Sequence, residues 1–103
     1  MKKPRVAFSD AAIADILEQS DWYEAQADWS LAQHWEEAVT ATLLRIAQRP
    51  RIGPRCSFTA DELRGTRRML VAGFAIFYQS SERKILVLRV VHGARDLESL
   101  FYK

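Results

Sequence analysis

The stretch GTRRMLVAGFAIFYQSSERKILVLRVV, residues 65–91, decides the fold of this chain because it contains three consecutive apolar runs. In chain order the runs and the links between them are GTRRMLV (65–71), Ala72-Gly73, FAIFYQ (74–79), Ser80 to Arg83 and KILVLRVV (84–91). Runs of this length and composition are typical of β-strands, and links this short join neighbouring antiparallel strands. The stretch therefore predicts an antiparallel meander.

The last of these runs is apolar on both of its faces. Strict alternation places on one face Ile85, Val87, Arg89 and Val91. It places on the other face Leu86, Leu88, Val90 and His92. A strand of this kind is expected at the centre of a sheet, with something covering each side. A pair of helices covers one side only, so we expect the other side to await a partner.

Two amphipathic helices are predicted before the meander. Ser9 is the expected N-cap of the first helix, and Asp28 is the expected N-cap of the second helix. The second helix is expected to end before Pro50. The predicted apolar stripe of the first helix is Ile13, Ile16, Leu17 and Ala27, with Tyr23 at its margin. That of the second helix is Leu31, Trp35, Ala38, Val39, Leu43 and Ile46. Trp22 and Leu44 fall off these stripes, and exposed large apolar groups of this kind indicate a contact site.

The order of the elements predicts an α+β fold. The segment KPRVAF, residues 3–8, reads as a short opening strand, and residues 49–62 form the longest irregular stretch. The predicted architecture is β-α-α-β-β-β, with a helical hairpin packed on one face of an antiparallel sheet. The 103 residues fit a single domain, residues 1–103.

Charge is distributed unevenly along the chain. Residues 9–48 contain eight acids and one base, whereas residues 49–103 contain eleven bases and five acids. We therefore expect an acidic surface on the helices and a basic surface elsewhere.

Several classes of protein are excluded by the composition. A single cysteine, Cys56, allows no internal disulfide and fits a reducing compartment, where we interpret it as a small apolar filler. No glycine-rich nucleotide loop and no metal-binding Cys/His spacing is present, so neither a cofactor nor a metal is expected. The N-terminus has no signal-peptide pattern, and the longest apolar run, residues 69–78, is shorter than the roughly 20 residues of a membrane span. We expect a soluble cytoplasmic protein that has no membrane contact.

Arginine is the residue type that offers chemistry in the second half of the chain. The arginines in question are Arg49, Arg51, Arg55, Arg64, Arg67, Arg68, Arg89 and Arg95. Guanidinium groups could stabilise a scissile phosphate, with His92 or Tyr102 moving a proton, or they could dock an acidic protein segment or a nucleic-acid backbone. Ordinary solvated charge is the better interpretation of any single arginine, whereas the cluster favours a binding surface. For His92 we favour a structural role over acid–base chemistry, and Arg95 with Asp96 fits a local pair around a helix cap.

The chain resembles the RelE/ParE superfamily of bacterial type II toxins, closer to its ParE-like members. The resemblance rests on segments that follow a helical hairpin, namely IAQRPRIGPR (46–55), LRGTRRMLV (63–71), FAIFY (74–78) and ILVLRVVHGARDLESLF (85–101). This resemblance covers nearly the whole chain, and it depends on the order and spacing of the segments together. The resemblance implies a compact toxin that a small cognate antitoxin neutralises in a hetero-oligomer by wrapping the helices and an open sheet surface.

The superfamily resemblance implies two different targets. ParE-like members inhibit DNA gyrase and are not nucleases, whereas RelE-like members cut mRNA on the ribosome with basic residues and often a C-terminal tyrosine. Phe101 stands where that tyrosine would be expected, and Tyr102 follows it. We therefore favour a gyrase inhibitor without enzymatic activity, with the mRNA endonuclease as the alternative. The residues that a nuclease would use are Arg64, Arg67, Arg89, His92, Arg95 and Tyr102, and those expected to bind a partner are Trp22, Leu44, Arg67, Arg68 and Arg95.

Overall fold

The chain folds as a helical hairpin on a four-stranded sheet, and the computed structural model describes residues 4–26 and 28–92. The elements are β1 (Arg5–Phe8), α1 (Asp10–Ala25), α2 (Trp29–Gln48), a short 3-10 helix (Asp61–Leu63), β2 (Arg67–Val71), β3 (Phe74–Ser81) and β4 (Lys84–His92). This order confirms the predicted α+β class and the predicted succession of helices and strands. The 3-10 helix within the irregular stretch was not predicted.

Both predicted helix caps are confirmed. The Ser9 hydroxyl accepts a hydrogen bond from Ala12 N at 3.0 Å and donates to Leu88 O at 2.7 Å. The Asp28 carboxylate accepts from Leu31 N at 3.0 Å. Ser9 therefore satisfies a free amide at the start of α1 and also attaches that end of the helix to β4.

The sheet has the strand order β1-β4-β3-β2. Strands β2, β3 and β4 form the predicted antiparallel meander, whereas β1 is parallel to β4, so the sheet as a whole is mixed. The direction of β1 cannot be read from its sequence, because two helices separate it from the meander and only their packing decides which way it runs. Strand β4 lies between β1 and β3, as its two apolar faces predicted.

A β-bulge in β4 changes the faces predicted for the end of that strand. Phe77 pairs with Arg89 while Tyr78 pairs with Val87, which leaves Leu88 as the extra residue. Beyond the bulge the alternation shifts by one position. Val90 therefore lies in the core beneath the helices and Val91 on the opposite side, which is the reverse of the prediction.

The main core lies between the helical hairpin and the sheet. Its buried members are Ala12, Trp35, Val39, Ile46, Phe74, Ile76, Tyr78, Ile85, Val87 and Val90. Helix α1 presents a different face to this core from the predicted one, since Ile13 and Leu17 are 45% and 57% exposed. Leu31 at the start of α2 is also exposed, and Ala27 lies outside the described residues. The assignments of Ile13, Leu17 and Leu31 to apolar core stripes were therefore wrong.

The second face of the sheet is covered by the chain itself. A smaller cluster comprises Leu63, Ala75, Phe77, Leu88 and Val91, with Cys56, Phe58, Ala60 and Leu86 packed against it. Segment 56–63 of the irregular stretch therefore lies across this face. The expectation that this side of β4 awaits a partner was wrong for these residues, because periodicity analysis treats an irregular loop as solvent-exposed and cannot detect its few apolar anchors.

No helix among the described residues has the length and apolar character that crossing a lipid bilayer requires.

Candidate functional surfaces

Arg89, a candidate nuclease residue, is held in a half-buried ion pair with Asp15 of α1. Its Nε and Nη2 atoms donate to the two Asp15 oxygens at 2.7 and 2.8 Å, and Val90 N donates to the same carboxylate at 3.0 Å. The hydrogen bond to Asp15 raises the pKa of Arg89 above its usual value. The pair joins the first helix to the central strand, so the guanidinium fork is already occupied by a carboxylate.

Arg67 is likewise engaged by the protein's own groups. Its Nη1 atom donates to the carbonyl oxygens of Arg51 at 3.2 Å and Gly53 at 2.7 Å. Residue 67 begins the edge strand β2, and the two acceptors belong to the loop that leaves α2. Arg67 therefore fastens this loop to the sheet.

Tyr78 fastens the same loop from inside the core. Its hydroxyl donates to Pro50 O at 2.9 Å and accepts from Gly53 N at 3.0 Å. Burial raises the pKa of Tyr78, and the bond from Gly53 together with the charge of Arg67 opposes that shift. A side chain on Gly53 would meet Arg68 O at 2.8 Å and the Tyr78 hydroxyl at 2.9 Å, so only glycine permits this close approach.

The other arginines predicted as site residues are exposed, or they lie outside the described residues. Arg64 forms a surface ion pair with Asp61 at 2.8 Å, in which both side chains are largely solvated. Arg68 is exposed, and its charge partly offsets the rise that burial causes in the pKa of Cys56. Arg95 and Tyr102 lie outside the described residues.

His92 ends β4 beside a groove that α1 forms with the sheet. The imidazole is stacked on Phe74, with ring centroids 4.4 Å apart and planes inclined by 29°. This groove, which we call the aromatic groove, is lined by Asp15, Glu18, Gln19, Trp22, Phe74, Val90, Val91 and His92. The stacking gives His92 a defined contact with the sheet although the imidazole is exposed, and the structural role favoured for it stays a prediction.

The described nuclease candidates are not gathered at one place. In the sheet register, Arg67 lies opposite Tyr78 and His92 lies opposite Phe74. Tyr78 and Phe74 are four residues apart along β3. At about 3.3 Å per residue, these two positions on β3 are roughly 13 Å apart. Arg67 and His92 are separated further because β2 and β4 lie on opposite sides of β3. Arg89 is directed to α1 instead. Among residues 4–26 and 28–92, the arrangement provides no shared phosphate pocket for Arg67, Arg89 and His92.

An exposed apolar surface lies on the acidic helical hairpin. Trp22 and Leu44 are 55% and 60% exposed, as the helix phases predicted. Ser20 Oγ donates to Glu36 Oε1 at 3.0 Å, and this bond shows that these two residues lie side by side on the neighbouring helices. The two helices run antiparallel, so residues that precede Ser20 in α1 lie beside residues that follow Glu36 in α2. Ile13 and Leu17 are one to two turns before Ser20, and Leu44 is about two turns after Glu36. We call Ile13, Leu17 and Leu44 the hairpin patch.

Three residues whose roles sequence reasoning missed are important for these surfaces. Asp15 was counted only as one of the helix acids, although its carboxylate organises the end of β4. Its position between Ala12 and Ile16, on the buried side of α1, is the signal that could have identified it. Ile13 and Leu17 were assigned to the core, and only the packing of the helix shows them to be surface residues.

Comparison with solved structures identifies the class of fold. A chain described as "Chromosomal ParDE TA system from P. aeruginosa" superposes with a TM-score of 0.68 and 15% sequence identity, covering 87% of this chain and 96% of that one. At this identity the likeness shows a common fold. Curated protein sequences contain no significant match.

The family is shown by the sequence itself. The profile of the "ParE toxin of type II toxin-antitoxin system, parDE" matches residues 6–97, which is most of the chain. The chain therefore belongs to the ParE toxin family, and it is a toxin component of a type II toxin–antitoxin system. Its partner is a cognate antitoxin.

Proposed function

We propose that this toxin acts by inhibiting DNA gyrase and does so without catalysing a reaction of its own. Membership of the ParE family is the observation that carries the proposal. The engagement of Arg67 and Arg89 by internal partners supports it, because a ribosome-dependent nuclease needs basic side chains that are free to contact a phosphate.

The direct test is a supercoiling assay with purified toxin and gyrase on relaxed plasmid DNA. Inhibition of supercoiling or accumulation of cleaved DNA is expected in proportion to toxin, and addition of the cognate antitoxin should abolish it. Toxin unfolded by heat serves as the control. Unaltered gyrase activity at toxin levels that stop growth would refute the proposal.

A second experiment separates gyrase inhibition from the alternative mRNA endonuclease. Induction of the toxin in bacteria should activate the DNA-damage response before protein synthesis declines. Early arrest of translation with cut mRNA, and no DNA-damage response, would instead identify a RelE-like nuclease. In that case, loss of toxicity after joint replacement of Arg95 and Tyr102 would show which residues act.

We further propose that the antitoxin docks on the hairpin patch. Leu17 and Leu44 are more than half exposed on helices whose surface is acidic, so a complementary segment would carry apolar anchors with basic neighbours. Clustered large apolar groups of this exposure are typical of protein contact sites.

Replacing Leu17 and Leu44 with serine tests the docking site. The variant should retain toxicity and lose at least about tenfold in affinity for the antitoxin, because buried apolar anchors supply most of the binding energy of such interfaces. Leu70→Ser is the matched control, since Leu70 is 64% exposed on β2, away from the hairpin. Equal weakening by the control, or none by the Leu17/Leu44 variant, would place the antitoxin elsewhere.

A further inference from the structure

The first part of the loop that follows α2, residues 49–54, has most of its carbonyl oxygens directed at internal donors. Within residues 49–54, Arg49 O accepts from Ile52 N, Pro50 O from the Tyr78 hydroxyl, and Pro54 O from Arg68 N. The carbonyl oxygens of Arg51 and Gly53 both accept from Arg67. Five backbone acceptors are therefore turned inward, and the loop is held in one conformation by the sheet.

The arginines of the same loop point their charge into solvent. Arg49, Arg51 and Arg55 are exposed, and within residues 4–26 and 28–92 no side-chain hydrogen bond or ion pair engages their guanidinium groups. Arg49 and Arg51 also line an open cleft together with Ser80, Ser81 and Glu82 of the β3–β4 hairpin, where two guanidinium groups outnumber one carboxylate. We call residues 49–55 the basic loop. Because its acceptors are used internally, it presents donors and positive charge.

The occupant that fits this surface is a polyanion rather than a folded protein face. The large apolar side chains that are exposed in the described structure lie on the helices and at Leu70, and none lies in the basic loop. Protein interfaces generally need buried apolar or aromatic anchors, whereas cationic side chains bind phosphate backbones without them. Single-stranded nucleic acids are held by stacking on aromatic side chains, which the loop lacks, so a duplex backbone fits better.

We propose that the basic loop binds the phosphate backbone of duplex DNA through Arg49, Arg51 and Arg55. Binding is independent of sequence, since backbone contacts fix position and carry no base information. The fixed loop conformation lowers the entropic cost of placing the three cations together. The inference concerns the toxin and DNA alone, so it stands or falls separately from the gyrase proposal.

The experiment measures binding of the full-length, antitoxin-free toxin to a short fluorescent random-sequence DNA duplex by anisotropy over a series of salt concentrations. Each phosphate contact contributes about 0.9 to the slope of log affinity against log salt. Replacing Arg49, Arg51 and Arg55 together with glutamine should lower the magnitude of that slope by about 2.7, and each single replacement by about 0.9. The triple lysine variant, which keeps the charges, should retain most of the slope.

Arg64→Gln is the matched control, because Arg64 is an exposed arginine outside the loop that is paired with Asp61. It should leave the slope nearly unchanged, and thermal unfolding should confirm that all variants are folded. Absence of duplex binding at low salt, or equal slopes for the triple glutamine variant and the wild type, would overturn the proposal. Tighter binding of a polyglutamate peptide than of duplex DNA, lost in the same triple variant, would also overturn it by assigning the loop to an acidic protein segment.

Discussion

At the residue scale, the carboxylate of Asp15 connects the two layers of the fold. It accepts hydrogen bonds from Arg89 Nε, Arg89 Nη2 and Val90 N, and only 11% of its side chain is exposed. The bulge at Leu88 sets the backbone direction that brings Arg89 and Val90 to the same carboxylate. The Arg89 guanidinium, a candidate for catalysis or binding in the sequence, therefore serves to hold α1 against β4.

Removal of Asp15 should be strongly destabilising. Asp15→Ala leaves the Arg89 guanidinium half-buried without its partner, and the loss of one member of such a pair costs about 3–5 kcal/mol of unfolding free energy. Asp61→Ala removes the exposed Arg64 pair and should cost less than about 1 kcal/mol. Urea unfolding of both variants measures the difference, and similar costs for the two would contradict the structural role assigned to Asp15.

Cys56 should react slowly with alkylating reagents. Burial raises the pKa of its thiol, and the charge of Arg68 only partly opposes the shift. Because the thiolate is the nucleophile, a raised pKa lowers the thiolate fraction at neutral pH and moves the rise in reaction rate to higher pH than for an unfolded cysteine. The rate of iodoacetamide labelling against pH, in native and in urea-unfolded protein, tests this. A native profile displaced to lower pH would be inconsistent with it.

At the scale of elements, the loop after α2 is shaped by strands that follow it in sequence. Tyr78 of β3 and Arg67 of β2 hold the backbone of residues 50–53, and Gly53 allows the close approach. Composition identifies this stretch as irregular, since it contains two prolines and a glycine. Its conformation depends on partners 14 to 28 residues away, which local sequence rules cannot supply.

Tyr78→Phe tests the attachment of this loop. The change removes a donor and an acceptor and leaves Gly53 N and Pro50 O without their partner, which should cost about 1–3 kcal/mol of unfolding free energy. The basic loop should then lose part of its fixed conformation and bind duplex DNA more weakly. Denaturant unfolding gives the first quantity and anisotropy the second. Tyr23→Phe, at a partly buried tyrosine of α1, is the control and should change neither by much; an unaltered Tyr78→Phe protein would refute the role of the hydroxyl.

At the scale of the whole molecule, the sheet is covered on one face and partly covered on the other. The helical hairpin covers one face, and segment 56–63 covers part of the other through Phe58 and Leu63. The exposed apolar side chains consequently lie mainly on the acidic helices, and none lies within the basic loop. The molecule thus offers chemically different surfaces to a protein partner and to a polyanion.

The second core can be tested by truncating one of its buried side chains. Leu63 is 2% exposed, and Leu63→Ala should lower the free energy of unfolding by about 2–5 kcal/mol, as expected for a buried leucine. Leu70→Ala removes the same atoms at a site 64% exposed and should change stability by less than about 0.5 kcal/mol. Chemical unfolding of the two variants gives the comparison, and a neutral Leu63→Ala would mean that this face of the sheet is effectively open.

The class of fold, the meander, both helix caps, the separation of charge and the family could all be read from the amino-acid sequence. These features depend on local signals: periodicity, capping residues, turn residues and composition. Gly73, for example, adopts the positive φ that its missing side chain permits, in the two-residue turn between β2 and β3.

Tertiary structure alone decided the direction of β1, the bulge in β4, the buried side of α1 and the cover over the second face. Each depends on a contact between distant residues, such as Ser9 with Leu88 or Asp15 with Arg89. The same contacts determine which of the charged residues remain free to bind a partner, because a guanidinium group held by acceptors inside the fold is directed away from solvent partners. The physical reason is that side-chain pairing and burial are properties of the assembled layers, and no local stretch of sequence contains them.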